Sequence, residues 1–301
     1  MHAERLDGSE LEVSQVGLGC NNFGGRLDLE RTREVVDAAL DVGITFFDTA
    51  DIYGNRGNSE RFLGEVLQGR RDRVVLATKF GHDMGDGFNG SGEYAGRALR
   101  ASLDRLRMDH VDLFYYHRPD GVTPLEETLG AMQDLVTAGL TRAIGCSNFS
   151  AGQLAEADEL ALANGGPRFV AVQNEYSLLE REAEDDVLPA ARRLNVGFVP
   201  YFPLASGLLT GKYRRGEPRP PGTRLESREI DDATFDWLEA LEAFARERGR
   251  SLLELAIAGL ASQPGVPSVI AGATSAEQVR QNAAAADWQL SADELSELTR
   301  I

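Results

Sequence analysis

Eight short runs rich in β-branched and aromatic residues recur along the chain, at 16–20, 44–48, 74–79, 111–116, 141–145, 169–173, 196–200 and 267–271, and longer segments of helical period separate them. Strands that alternate with helices in this way pair in parallel, because a parallel neighbour is reached through a crossover and not through a tight turn. Between the runs, Ala95, Leu99, Leu103 and Leu106, and again Leu125, Leu129, Met132 and Leu135, repeat every three or four positions. That spacing predicts helices with one face on a core. Ser150 with Gln153, Ser251 with Glu254, Ser275 with Gln278 and Ser291 with Glu294 have the spacing of a capping box and mark helix starts. Eight strand–helix units predict a closed (β/α)8 TIM barrel over 1–301, one domain, with two helices after the last strand. A doubly wound sheet, or two ordinary domains, is the alternative at 301 residues. However, no Gly-x-Gly-x-x-Gly follows an early strand and no change of composition marks a second domain. Arg5 to Gln15, with Asp7-Gly8 between short alternating runs, predicts a β-hairpin at the barrel floor.

Composition narrows the function classes. A formal net charge of −17 opposes nucleic-acid binding, which needs a basic face for the phosphate backbone. No apolar stretch approaches the roughly twenty residues of a bilayer span, and Met1 to Leu6 carries charge where a signal sequence would be apolar, so a cytoplasmic protein without a membrane partner is expected. Two cysteines, Cys20 and Cys146, imply no disulfide framework and read as small buried core thiols.

Only two lysines, Lys79 and Lys212, stand among 31 basic residues, so each position that is not arginine invites a reason. An ammonium is compact and fits a narrow interior that a planar guanidinium does not. Lys79 closes the third run, and in a barrel the reacting groups lie at the carboxyl ends of strands. The second run ends in Asp48, followed shortly by Tyr53, and the fourth ends just before His117. Four segments would thus bring Asp48, Tyr53, Lys79 and His117 to one mouth. This set suits proton delivery to a carbonyl oxygen while another agent supplies hydride. Lys79 is expected to lower the proton affinity of the Tyr53 phenol, Asp48 to hold Lys79, and neutral His117 to orient the carbonyl.

The phrases Gly43-Ile44-Thr45-Phe46-Phe47-Asp48-Thr49-Ala50-Asp51-Ile52-Tyr53-Gly54, Asp112 to Asp120, Ile144-Gly145-Cys146-Ser147-Asn148-Phe149, Gln173-Asn174-Glu175-Tyr176-Ser177 and Pro203 to Tyr213 follow one another along the chain. In that order they resemble the aldo-keto reductase superfamily. The resemblance implies a barrel enzyme that reduces aldehydes or ketones reversibly with a nicotinamide dinucleotide, NADP(H) favoured over NAD(H), and a small carbonyl compound as substrate. Carried over by position, it makes Tyr53 the general acid/base, with Lys79, Asp48 and His117 as its partners. Ser147, Asn148 and Gln173 match the ligands of the nicotinamide carboxamide, and Tyr201 the aromatic stacked on its ring. Leu204, Ser206, Gly207 and Leu208, with Lys212 nearby, match the loop over the pyrophosphate. Gly272, Thr274 and Gln278 match the grip on the adenosine phosphate, and Gln281 and Asn282 the adenine side.

Two positions depart from the family pattern. No Arg or Lys precedes Arg280 in the adenosine-phosphate segment, and Phe202 stands where Ser is common. Asn22, Phe23, Phe80 and the 203–232 stretch are expected along an open substrate pocket. The resemblance also carries a second reading, a nicotinamide-binding regulatory or channel-associated subunit with little turnover.

Overall fold

A computed structural model describes Met1–Ile301 except Asp7 and Asp86. Strands β1 (Ala3–Arg5) and β2 (Glu12–Ser14) pair antiparallel, Ala3 opposite Ser14. The expected hairpin is present, although the turn assigned to Asp7-Gly8 includes a residue outside the described ones. Its apolar side chains Leu6, Leu11 and Val13 are buried with Phe46, Ala77, Leu113, Tyr115 and Val199, all contributed by barrel strands. Burying each such aliphatic side chain is worth about 1.5–3 kcal/mol, so the hairpin is a plug held by the barrel interior.

The barrel strands are β3 (Val16–Gly19), β4 (Phe46–Asp48), β5 (Val75–Phe80), β6 (Val111–Tyr116), β7 (Thr141–Ser147), β8 (Phe169–Glu175), β9 (Gly197–Tyr201) and β10 (Val269–Gly272). Every barrel pair is parallel, and β10 pairs with both β9 and β3, which closes the cylinder. The protein is a (β/α)8 barrel.

The surrounding helices are α1 (Leu29–Asp41), α2 (Tyr53–Val66), α3 (Gly92–Leu106), α4 (Leu125–Thr137), α5 (Ala151–Asn164), α6 (Val187–Leu194), α7 (Asp232–Glu247), α8 (Leu252–Ala261), α9 (Ala276–Ala285) and α10 (Ala292–Leu298). The stripe Ala95, Leu99, Leu103 and Leu106 is buried, as are Leu129, Met132 and Leu135. Complete capping boxes form at Ser150, Ser251 and Ser291. At Ser275 only half of the box forms. Its side chain accepts from Gln278 N, but Gln278 Oε1 turns back to accept from the Thr274 backbone and hydroxyl. Among the described residues no helix is long and apolar enough to cross a membrane.

Candidate active site

Asp48 is the last residue of β4 and Lys79 the penultimate residue of β5, so adjacent strands deliver them side by side. Lys79 is wholly buried, its Nζ 2.5 Å from Asp48 Oδ2 and 2.9 Å from the Thr49 carbonyl oxygen. Asp48 Oδ1 accepts from Gln173 Nε2 at 2.9 Å. A charge out of water persists only when paired and hydrogen-bonded, and here both carboxylate oxygens and the ammonium have partners. Asp48 and Tyr53 hold Lys79 above its ordinary value, against burial, which acts strongly to lower it.

Tyr53 is placed by an unusual turn. Gly54, Asn55, Arg56 and Gly57 all have positive φ, at the point where the chain leaves Tyr53 for the regular part of α2. Successive left-handed non-glycine residues are strained, and such strain collects at functional sites. Glycine is required at 54 on two counts: its φ is +65°, and a Cβ there would lie 2.3 Å from the Phe23 carbonyl oxygen. The Tyr53 ring lies 5.0 Å from Lys79 Nζ and makes an edge contact with the His117 ring, centroids 5.8 Å apart. Burial sets the direction for the Tyr53 phenol, while Lys79 acts on it in the expected sense and lowers its proton affinity. Burial raises it more than Lys79 lowers it, so the hydroxyl keeps its proton.

His117 follows β6, and its backbone N–H donates to the Phe80 carbonyl. Burial, then Lys79, keeps its imidazole well below the ordinary histidine value and therefore neutral near pH 7. Its Nδ1 is buried without a hydrogen-bond partner among the described residues.

These groups face one cavity of about 680 Å³, lined by Asp48, Tyr53 and His117 but not by Lys79, which sits behind them. Ser147, Asn148, Gln173, Tyr201, Leu204, Ser206, Gly207, Lys212, Gly272, Thr274, Gln278, Gln281, Asn282 and Asn22 also line it. The donor set suits a carboxamide. Asn148 is fully engaged, donating to the His117 carbonyl and to Ser147 Oγ and accepting from Tyr201 Oη at 2.8 Å. Among the described residues the Ser147 hydroxyl proton and Gln173 Oε1 have no partner, so a donor and an acceptor remain for a ligand. Phe202, at φ +57°, packs edge-on against the Tyr201 ring at 5.2 Å and fixes its plane. Gly207 has φ +99°, and Lys212 Nζ sits 2.8 Å from where its Cβ would be, so the loop backbone and this ammonium are in contact.

Two sequence expectations need correction. Phe23 and Phe80 are fully buried and do not line the cavity. Phe80 stacks between Phe114 and Tyr116, because alternate side chains of a barrel strand point outward to the helices. Leu208 packs its half-buried side chain on the core, and the resemblance assigns only its backbone to the loop over the pyrophosphate. Conversely, Arg26, His82, Arg118 and Arg224 line the cavity, and periodicity or spacing gave no sign of them. Cys20 and Cys146 are buried, unpaired core thiols.

Asp51 lies just behind the site, buried, with Oδ1 unpartnered. Burial and the neighbouring Glu60 push its carboxyl up to about 7, against the pull of Arg105. Between about pH 4 and pH 7 the folded chain holds a proton there that the unfolded chain releases. Stability from this residue therefore falls as pH rises through that window, by at most about 1.4 kcal/mol per unit. Asp51→Asn is expected to raise the urea midpoint more at pH 8 than at pH 5; a gain independent of pH would contradict this assignment.

A barrel with phenol, buried ammonium and imidazole at the carboxyl ends of its strands is an enzyme architecture in which the strand ends carry the chemistry. The family model for the aldo/keto reductase family matches residues 15–301, and the chain belongs to that family. Its relatives include a probable voltage-gated potassium channel subunit beta of Oryza sativa subsp. japonica, 39% identical over 95% of this chain and 92% of that protein. An uncharacterized oxidoreductase of Bacillus subtilis (strain 168) is 37% identical over 97% and 93%. The L-glyceraldehyde 3-phosphate reductase of Escherichia coli (strain K12) is 34% identical over 91% and 84%.

Proposed function

We propose that this protein reduces aldehydes or ketones to alcohols, reversibly, with NADP(H) preferred over NAD(H). The observation that carries the proposal is the meeting of Tyr53, the Lys79–Asp48 pair and neutral His117 at a cavity that also presents one free donor and one free acceptor from Ser147 and Gln173. A bound reduced nicotinamide would supply the hydride that reaches the carbonyl carbon. Tyr53 Oη gives its proton to the carbonyl oxygen as that atom gains charge. Lys79 stabilises the phenolate that remains, and solvent returns the proton. A ring N–H of His117 orients the carbonyl, and neutrality lets it do so without competing as an acid.

Preference for the phosphorylated cofactor is supported by charge. Arg26, Arg224 and Lys212 line the cavity on the β3 and β9 sides, and none makes an ion pair among the described residues. Arg224 Nη2 instead donates to Asn22 Oδ1 at 3.3 Å, and Arg26 Nη2 to the Gly222 carbonyl at 3.2 Å, so the 203–232 loop and the segment after β3 are tied across the opening. A bond from arginine to a charged partner is worth about 1.5–3 kcal/mol, so Arg224→Ala is expected to weaken NADPH binding roughly tenfold or more and NADH binding less. Fluorescence titration of both nucleotides checks this, and equal losses would remove the argument for NADP(H). Turnover over an aldehyde and ketone panel with the preferred cofactor tests the reaction itself.

The name of the Oryza sativa relative supports a second reading, a cofactor-binding subunit of a channel. Undetectable turnover across the panel, together with copurification of a membrane partner, would favour it.

A further inference from the structure

We propose that the carbonyl compound reduced here carries an anionic group, a carboxylate or a phosphate monoester, held by Arg118 together with His82 beside the reacting carbon. This rests on the reading of the cavity as a carbonyl-reducing site and names its substrate class.

Arg118 follows His117 directly and lines the cavity. Among the described residues it makes neither an ion pair nor a hydrogen bond, in a chain of net charge −17 where carboxylates are plentiful. Among the described residues, three carboxylates of the surrounding segments are committed elsewhere. Asp48 holds Lys79, Asp83 caps Gly85 N and Gly87 N, and Asp120 accepts from Gly90 N, Val122 N, Thr123 N and Thr123 Oγ1.

The exposed guanidinium has an aromatic neighbour. It lies 5.9 Å from the Phe88 ring centroid, Phe88 packs on His82 at 4.9 Å, and His82 is 5.4 Å from His117. A cation–π contact of this kind uses none of the arginine N–H groups, which remain available to a planar or tetrahedral anion. His82 Nδ1 accepts from Asp83 N at 2.9 Å, so the proton of the neutral ring is on Nε2, and this second donor also belongs to the cavity lining.

Topology separates this pair from the cofactor's phosphates. In the closed order β10-β3-β4-β5-β6-β7-β8-β9, strand β6 lies four strands from β10, directly across the barrel. Arg26, Arg224 and Lys212 belong to the loops after β3 and β9, the two neighbours of β10, whereas His82 and Arg118 follow β5 and β6. A dinucleotide stretched from Ser147 and Gln173, at the end of β7 and on β8, to the β10 side would leave Arg118 uncovered on the substrate side.

The test compares matched substrates with the NADPH-loaded protein: succinic semialdehyde against its methyl ester, and glyceraldehyde 3-phosphate against glyceraldehyde. The anionic member of at least one pair is expected to have the larger kcat/KM, with a preference that shrinks as salt is added. Arg118→Ala is expected to cut the anionic-to-neutral ratio roughly ten- to hundredfold, mostly through KM, and Arg118→Lys to restore part of it. Which pair responds separates carboxylate from phosphate. A ratio near one in the wild type, or one that Arg118→Ala leaves unchanged, overturns the proposal while leaving carbonyl reduction intact. If no aldehyde of either kind is reduced, the functional reading fails and binding decides this one. With NADP+ present, the His82 imidazole resonances should then shift on adding 4-hydroxybutyrate but not 1,4-butanediol, and not in Arg118→Ala; absence of that shift in the wild type overturns it.

Discussion

Replacing Tyr53 by Phe is expected to lower kcat/KM for carbonyl reduction by roughly 10²- to 10⁴-fold, the range attributable to a positioned proton donor, while NADPH binds as before. The substitution keeps the ring that packs against His117 and lies near Lys79, and removes only Oη. The left-handed turn from Gly54 to Gly57 that fixes residue 53 is unaffected. Stopped-flow measurement of NADPH oxidation beside a cofactor titration separates the two effects. A variant that retains turnover within a few-fold would remove Tyr53 from the chemistry.

Asp48→Ala is expected to destabilise the fold by about 3–5 kcal/mol and to abolish turnover, because it strands a buried ammonium without its counter-charge. Lys79 is wholly buried, and its remaining partners would be the Thr49 carbonyl and the Tyr53 hydroxyl, neither of them a counter-charge. The same change frees Gln173 Nε2, which otherwise donates to Asp48. The double variant Asp48→Ala with Lys79→Met should recover most of the lost stability, since an apolar pair of similar volume is tolerated where a lone charge is not, but should recover no activity. Urea unfolding of the two single variants and the double variant gives the coupling. If the double variant is as unstable as Asp48→Ala, the cost comes from lost packing and not from the unpaired charge.

The fold was largely legible because its rules are local and periodic. Each of the eight expected runs overlaps a barrel strand, and the stripe through Ala95, Leu99, Leu103 and Leu106 is buried. The exceptions mark where a local rule met a competing partner. Gln278 has the spacing of a capping box, yet its side chain serves Thr274. Phe80 ends a strand at the mouth, yet alternation turns its ring outward, where it stacks between Phe114 and Tyr116.

Asp48, Tyr53, Lys79 and His117 could be named from the sequence because their chemical types at strand ends are improbable as mere structure. The arginines around the cavity could not. Twenty-nine look alike in the sequence, and what distinguishes Arg118 or Arg224 from Arg105 is whether a carboxylate from another element reaches it; for Arg105 that carboxylate is Glu60, forty-five positions away. The protonation of Tyr53 was also decided in three dimensions, since burial and the field of Lys79 act on it in opposite directions. The sequence by itself thus determined the barrel and which residue types stand at its rim, because periodicity and residue type are carried by neighbours along the chain. Only the tertiary structure decided which cations are free and which way each proton affinity moves, because pairing and desolvation depend on distances between segments remote in sequence.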